Sequence, residues 1–255
     1  MRPPARAAQP SEPRVAEALL ELAGVNTHIG HYHILQGVDF AVPRGGITML
    51  LGRNGAGKTT TLRTILGLWR ASAGSIRFDG SDVTQLPTPA IANLGIAYVP
   101  ESMGIFAGLT VRENLVLAAR NGPLADARLE WIFRFFPALK KFWFLPAGLL
   151  SGGQKQMLAI SRAIVEPRTL LLIDEPTKGL APSIINNLIE AFGELKKTDT
   201  TILMVEQNFH AARTLGDTVV VMDSGRIVHA GTMAQLAADE PLQMRLLGLS
   251  LEVHQ

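Results

Sequence analysis

An α/β fold with a largely parallel sheet and a helical insertion is the architecture this sequence predicts, on three observations. Short apolar runs without polar alternation, Gly46–Leu51, Leu170–Ile173 and Thr201–Val205, read as strands covered on both faces. Helical stretches separate them, and strands alternating with helices are the pattern of parallel sheets. From about residue 86 to 150 good helix formers take over at helical spacing, which places helices inside that frame.

Taken in order, residues 1–15 are rich in proline and alanine without periodicity and read as a disordered N-terminal arm. Residues 16–240 read as one domain. Its first part, Leu19 to about Leu51, alternates and is β-branched, with turn residues at Gly30, Gly37 and Pro43–Gly46. A helix is predicted over Lys58–Trp69. Helical spacing returns over Val111–Arg120 and Leu129–Phe135, with Asn121-Gly122-Pro123 as a break, and again over Lys155–Val165. The helical subdomain is placed at about 102–160, and residues 241–255 form a short tail.

Composition narrows the function. The chain has 255 residues, 47% hydrophobic and 18% charged, enough for a well-filled core. A net charge of +2 is too small to argue for a nucleic-acid partner. The absence of cysteine excludes disulfides, thiolate metal sites and a catalytic thiol. No apolar run approaches the ~20 residues that span a bilayer, and no apolar segment follows Arg2 and Arg6 as a secretory signal requires.

Gly52-Arg53-Asn54-Gly55-Ala56-Gly57-Lys58-Thr59 matches G-x-x-x-x-G-K-[ST] between a buried strand and a helix. Such a loop turns backbone N–H groups toward one anion. Asn54, Gly55, Ala56, Gly57, Lys58, Thr59 and Thr60 are therefore the candidate nucleotide contacts, with Lys58 reaching the β/γ-phosphates and Thr59 on Mg²⁺. Asp174 and Glu175 end an apolar strand, beyond which ligands sit in parallel sheets. Asp174 is placed to hold Mg²⁺, and Glu175 to orient or deprotonate a water attacking the γ-phosphate.

Leu150-Ser151-Gly152-Gly153-Gln154 at the start of a helix, upstream of Asp174, resembles the signature of ABC (ATP-binding cassette) ATPases. The resemblance covers roughly Leu19 to Gly231. It implies a P-loop NTPase cassette: a RecA-like core sheet with an antiparallel β subdomain and an inserted helical subdomain. Ser151, Gly152, Gly153 and Gln154 would form a second phosphate cradle that closes on ATP held by another subunit, so two cassettes are required. In the same family Ile29 falls where an aromatic residue commonly stacks on adenine, with Tyr32 and His28 as possible substitutes.

Further positions depart from the commonest family residues. Val99-Pro100-Glu101 puts Glu101 where glutamine commonly meets Mg²⁺, and Val205-Glu206-Gln207-Asn208 puts Gln207 at a position commonly occupied by histidine. With Gly179-Leu180-Ala181-Pro182, these strings resemble the smaller ATPase subunits of branched-chain and hydrophobic amino acid importers. The implied activity is Mg²⁺-dependent ATP hydrolysis with Lys58, Glu175 and Gln207 as catalytic residues. The implied partners are a second ABC ATPase (itself or a paralogue), two transmembrane permeases and, indirectly, a solute-binding protein. Peripheral placement on the cytoplasmic face of the plasma membrane follows. Urea or amide importers, lipid or lipopolysaccharide export and non-transport ABC proteins are the alternatives. Phe142-Trp143-Phe144 is read either as core packing or as a permease contact.

Overall fold

The computed structural model describes residues 17–120 and 122–248. The expected arm over 1–15, Asn121 of the expected break and the last residues of the tail lie outside that range. Strands β1 (Ala18–Ile29), β2 (Tyr32–Pro43), β4 (Ala71–Phe78) and β5 (Ser81–Asp82) form an antiparallel sheet in the order β2-β1-β4-β5. The second sheet contains β3 (Ile47–Leu51), β6 (Ile96–Val99), β7 (Leu170–Asp174), β8 (Thr201–Val205), β9 (Thr218–Asp223) and β10 (Arg226–Thr232). Its order is β10-β9-β3-β8-β7-β6, parallel throughout except for the β9–β10 edge.

Every residue of β3, β7 and β8 is buried, because both faces of the second sheet are covered. Leu50, Leu172 and Leu203 pack on one side with the antiparallel sheet and helix α1 (Lys58–Ile65). Met49, Ile173 and Met204 pack on the other, among residues of α6 (Gly152–Ile164), α7 (Pro182–Leu195), α8 (Phe209–Leu215) and α9 (Met233–Ala238). The remaining helices are α2 (Thr88–Asn93), α3 (Val111–Ala118), α4 (Asp126–Phe135), α5 (Pro137–Lys141) and α10 (Glu240–Leu247).

Three sequence expectations change. Gly37 does not end a strand: β2 runs through it, and the register shifts between Val25↔Val38 and Asn26↔Gln36. Its φ of 72° lets the extra residue form a bulge instead of a turn. The helix predicted over Lys58–Trp69 stops at Ile65, because Gly67 follows in the left-handed conformation (φ 68°) that closes helices. The stretch from Leu86 is not helical throughout. Ile96–Val99 pairs with Leu170–Ile173 as the edge strand of the parallel sheet, a run too short to read apart from its helical neighbours.

Candidate functional site

The carboxyl ends of neighbouring strands supply the site. β3 leads into the phosphate loop, β8 into Glu206-Gln207, β7 into Glu175 and β6 into Pro100-Glu101. Parallel pairing makes these four chain ends emerge together, although they are far apart in sequence.

The loop is held by close packing at Gly52 and Gly57. A Cβ on Gly57 (φ 108°) would lie 3.1 Å from Leu35 Cδ2 and 3.2 Å from Met222 Sδ. Gly57 is the N-cap of α1 and makes no side-chain capping bond, so the first amides of the helix keep their donors for an anion. Lys58 is buried, and its ammonium donates to the carbonyls of Gly52 (2.8 Å) and Arg53 (3.0 Å). Burial lowers its pKa, partly opposed by Glu175 and Asp174. Ala56 sits apart from its neighbours in the motif, with its side chain in the core.

Asp174 is fully buried. It accepts from Thr59 Oγ1 at 3.1 Å and from the Tyr98 hydroxyl at 3.3 Å. Desolvation raises its pKa, an effect the Thr59 hydrogen bond offsets in part. Burial and the adjacent Asp174 in turn push the Tyr98 phenol up to about 12. Glu175 takes φ 49°, an unusual conformation for a residue with a side chain, costing about 1–3 kcal/mol. Its amide donates to Val205 O at 2.9 Å, fixing it against β8. The Gln207 amide donates to Glu175 Oε1 and, at 2.8 Å, to Asn54 Oδ1.

A cavity of about 340 Å³ gathers Asn54, Gly55, Gly57, Lys58, Thr59, Thr60, Glu101 and Glu175, together with Ile34 and Lys178. Gln207 reaches this group through its bonds to Asn54 and Glu175. Ile29 does not line the cavity; it ends β1 opposite Tyr32 at the hairpin tip, while Ile34 supplies the apolar wall. Ser151, Gly152, Gly153 and Gln154 also lie outside it, at the start of α6. Gln154 there accepts from the Ser151 amide and Ser151 Oγ from the Gln154 amide, a capping box. Gly153 packs against α7, where a Cβ would meet Ile184 at 3.3 Å.

Four residues at the site escaped the sequence reading. Tyr98 on β6 touches Asp174, Lys178 pairs with Glu101 (2.6 Å) and Glu175 (3.3 Å), and Thr177 bonds Glu206. Glu206 is buried and accepts from Thr177 N and Oγ1, Gln207 N and Asn208 N, tying the turn after β7 to the end of β8. Burial raises its pKa, and these hydrogen bonds oppose the rise. Hydrophobic periodicity carries no signal for such cross-strand pairs. The acidic and amide strings at strand ends were the available pointer.

Beside Glu101 a second cavity of about 390 Å³ is lined by Leu68, Tyr98, Met103, Arg162 and others. Phe106 stands half-exposed beside it, under the Arg162 guanidinium at 4.8 Å. The aromatic segment divides: Phe142 and Trp143 pack against the core, Trp143 edge-on to Phe133 at 5.3 Å, while Phe144 is 77% exposed. No helix among the described residues is long and apolar enough to cross a membrane.

Comparison with known proteins agrees with this geometry. The family described as ABC transporter matches residues 35–178. A high-affinity branched-chain amino acid transport ATP-binding protein, BraG, of Pseudomonas aeruginosa is 39% identical over 232 residues, covering 90% of this chain and 100% of that protein. A probable branched-chain amino acid transport ATP-binding protein, LivF, of Archaeoglobus fulgidus is 35% identical over 91% of this chain and 99% of its own length. A solved ATP-binding subunit of an ABC transporter superposes with a TM-score of 0.76 at 32% identity, covering 92% of this chain and 96% of that one. With the phosphate loop, the acidic strand end and the signature helix all in place, the chain belongs to the ABC transporter family, as an ATP-binding cassette that hydrolyses ATP.

Proposed function

We propose that this cassette energises uptake of branched-chain or other hydrophobic amino acids, or related small solutes, through two partner permeases at the cytoplasmic face of the plasma membrane. A solute-binding protein would act upstream of the permeases. The carrying observation is the Gln207 amide, which joins Asn54 of the phosphate loop to Glu175 beside the cavity holding Lys58 and Thr59. The choice of solute rests on similarity to the branched-chain amino acid transport proteins of Pseudomonas and Archaeoglobus.

The residues present fit a hard divalent cation. Asp174 is a buried carboxylate whose hydrogen-bond partners are two hydroxyls, with no cation paired to it among the described residues. Among the described residues no three acidic or histidine side chains are placed to hold a metal ion by themselves, so phosphate oxygens and water would complete its coordination. Thr59 and Asp174 would hold Mg²⁺, with Glu101 close by, and the bound ion would supply positive charge to offset that of the phosphates.

In the chain's own chemistry, the loop amides and Lys58 cradle the β- and γ-phosphates. Glu175 takes the proton of the attacking water and aims its lone pair at the γ-phosphorus. The neutral Gln207 amide holds Glu175 in register with Asn54 and donates to phosphate or water without changing charge. Release of ADP and phosphate ends the cycle. Because the signature stands apart from the cavity, we infer that a second cassette, a copy or a paralogue, supplies Ser151, Gly152 and Gly153 to each nucleotide. The cavity beside Glu101 and the exposed Phe106 form the surface offered to a permease.

Affinity purification from native membranes followed by mass spectrometry tests the assignment. Two multi-span permeases and a second cassette are the expected companions. Recovery of ribosomal proteins or lipid-export components instead would overturn the importer reading and leave the ATPase chemistry standing.

A further inference from the structure

Lys58 and Lys178 are the two lysines lining the phosphate cavity, and they face opposite tasks. Lys58 is turned to the carbonyls of Gly52 and Arg53. Lys178 stands on the turn after β7, closed by its amide donating to Glu175 O at 3.3 Å, and sends its ammonium back over the site. It lies 2.6 Å from Glu101 Oε1 and 3.3 Å from Glu175 Oε2. Neither the phosphate loop nor the acidic strand end requires a lysine at this position.

Its placement has two consequences. First, Asp174, Glu175 and Glu101 converge at the carboxyl ends of adjacent strands, and like charges so gathered repel unless a cation balances them. Lys178 is the ion-pair partner of two of the three. Second, Glu101 cannot give the same oxygen to an ammonium at 2.6 Å and to a divalent cation, so the two compete for it. Beyond Lys178 the contacts run on through Glu175 and Gln207 to Asn54. The Glu101 loop is thereby joined by side chains to the phosphate loop.

We propose that Lys178 is a positioning residue, an ionic latch that ties the Glu101 loop to Glu175 until a divalent cation arriving with nucleotide takes Glu101 from it. This rests on the roles assigned above to Glu101 and Glu175. The latch holds the catalytic carboxylate to the loop facing the permease groove, so movement of that loop reaches Glu175 through one ammonium group.

The test is calorimetric titration of the full chain with a non-hydrolysable ATP analogue over a series of Mg²⁺ concentrations. Lys178→Met should lower the half-saturating Mg²⁺ by about two- to fivefold, the equilibrium ratio that an exposed ion pair supports. Lys178→Arg should restore the original value, and in a Glu101→Gln background Lys178→Met should shift nothing. The lysine is more than half exposed, so these variants leave the core intact. An unchanged Mg²⁺ requirement in Lys178→Met, or an equal shift without the Glu101 carboxylate, overturns the latch. Lys58→Ala is titrated alongside. If it still binds the analogue, the nucleotide-site reading itself falls. If it does not, the Lys178 result judges the latch alone.

Discussion

Asn114 offers a sharp test of how the loop after Glu101 is held. The residue is fully buried on α3. Its Oδ1 accepts from the Phe106 amide at 2.9 Å, and its Nδ2 donates to the carbonyls of Phe106 (3.0 Å), Leu109 (3.3 Å) and Thr110 (3.0 Å). Each of those carbonyls has a second donor, namely Leu109 N, Ala147 N and Asn114 N respectively. Asn114→Ala therefore leaves one amide, Phe106 N–H, without an acceptor and deprives three carbonyls of a second bond. An orphaned buried amide costs about 1–3 kcal/mol and each lost secondary bond less. With the small cavity added, the expected loss is about 3 kcal/mol, or about 6–12 °C in Tm for a chain of this size.

Asn114→Asp sharpens the argument. It keeps an acceptor for Phe106 N–H but sets a carboxylate oxygen against three carbonyls. The folded-state pKa of the new acid must rise above its unfolded value of ~3.9. Its stability is then fullest below that value and falls as pH rises, because the unfolded chain ionises first. Urea unfolding followed by circular dichroism at pH 5 and pH 8 measures both effects. An Asn114→Ala protein within 1 kcal/mol of the original, or an Asn114→Asp protein without added pH dependence, refutes the reasoning.

Other outcomes follow from the site. Lys58→Ala should abolish productive nucleotide binding, seen by equilibrium titration. Glu175→Gln should bind ATP yet turn over at least about a hundredfold more slowly, the scale of a lost general base, and should accumulate as an ATP-bound dimer by size-exclusion chromatography; normal turnover removes Glu175 from its role. Gly57→Ala should lose both stability and binding, since its Cβ meets Leu35 and Met222 at 3.1 and 3.2 Å in a left-handed backbone. Tyr98→Phe removes a hydroxyl donated to Asp174, a phenol that stays protonated at working pH with its pKa near 12. Asp174 should then titrate higher still, moving the acidic limb of the ATPase pH profile upward. An unmoved limb would show that Tyr98 does not support the ionised Asp174.

The local devices are legible in the sequence alone. Gly52–Thr59, Asp174-Glu175 and Ser151–Gln154 each act within a few residues at a strand end or a helix start, where backbone donors and carboxylates are fixed by neighbours in the chain. The fully buried strands β3, β7 and β8 were legible for the same reason, since burial on both faces excludes polar residues. The edge strand β6 and the bulge at Gly37 were not, because a short run and a lone glycine have the same local signal in several structures. Which devices meet depends on the sheet topology. The order β3-β8-β7-β6 sets Asn54, Gln207, Glu175 and Glu101 side by side and leaves the signature apart on α6. It also brings Lys178 to Glu101. Such pairings depend on how strands are ordered in a sheet and which loops they carry together, and hydrogen bonds between residues distant in the chain leave no period in the sequence.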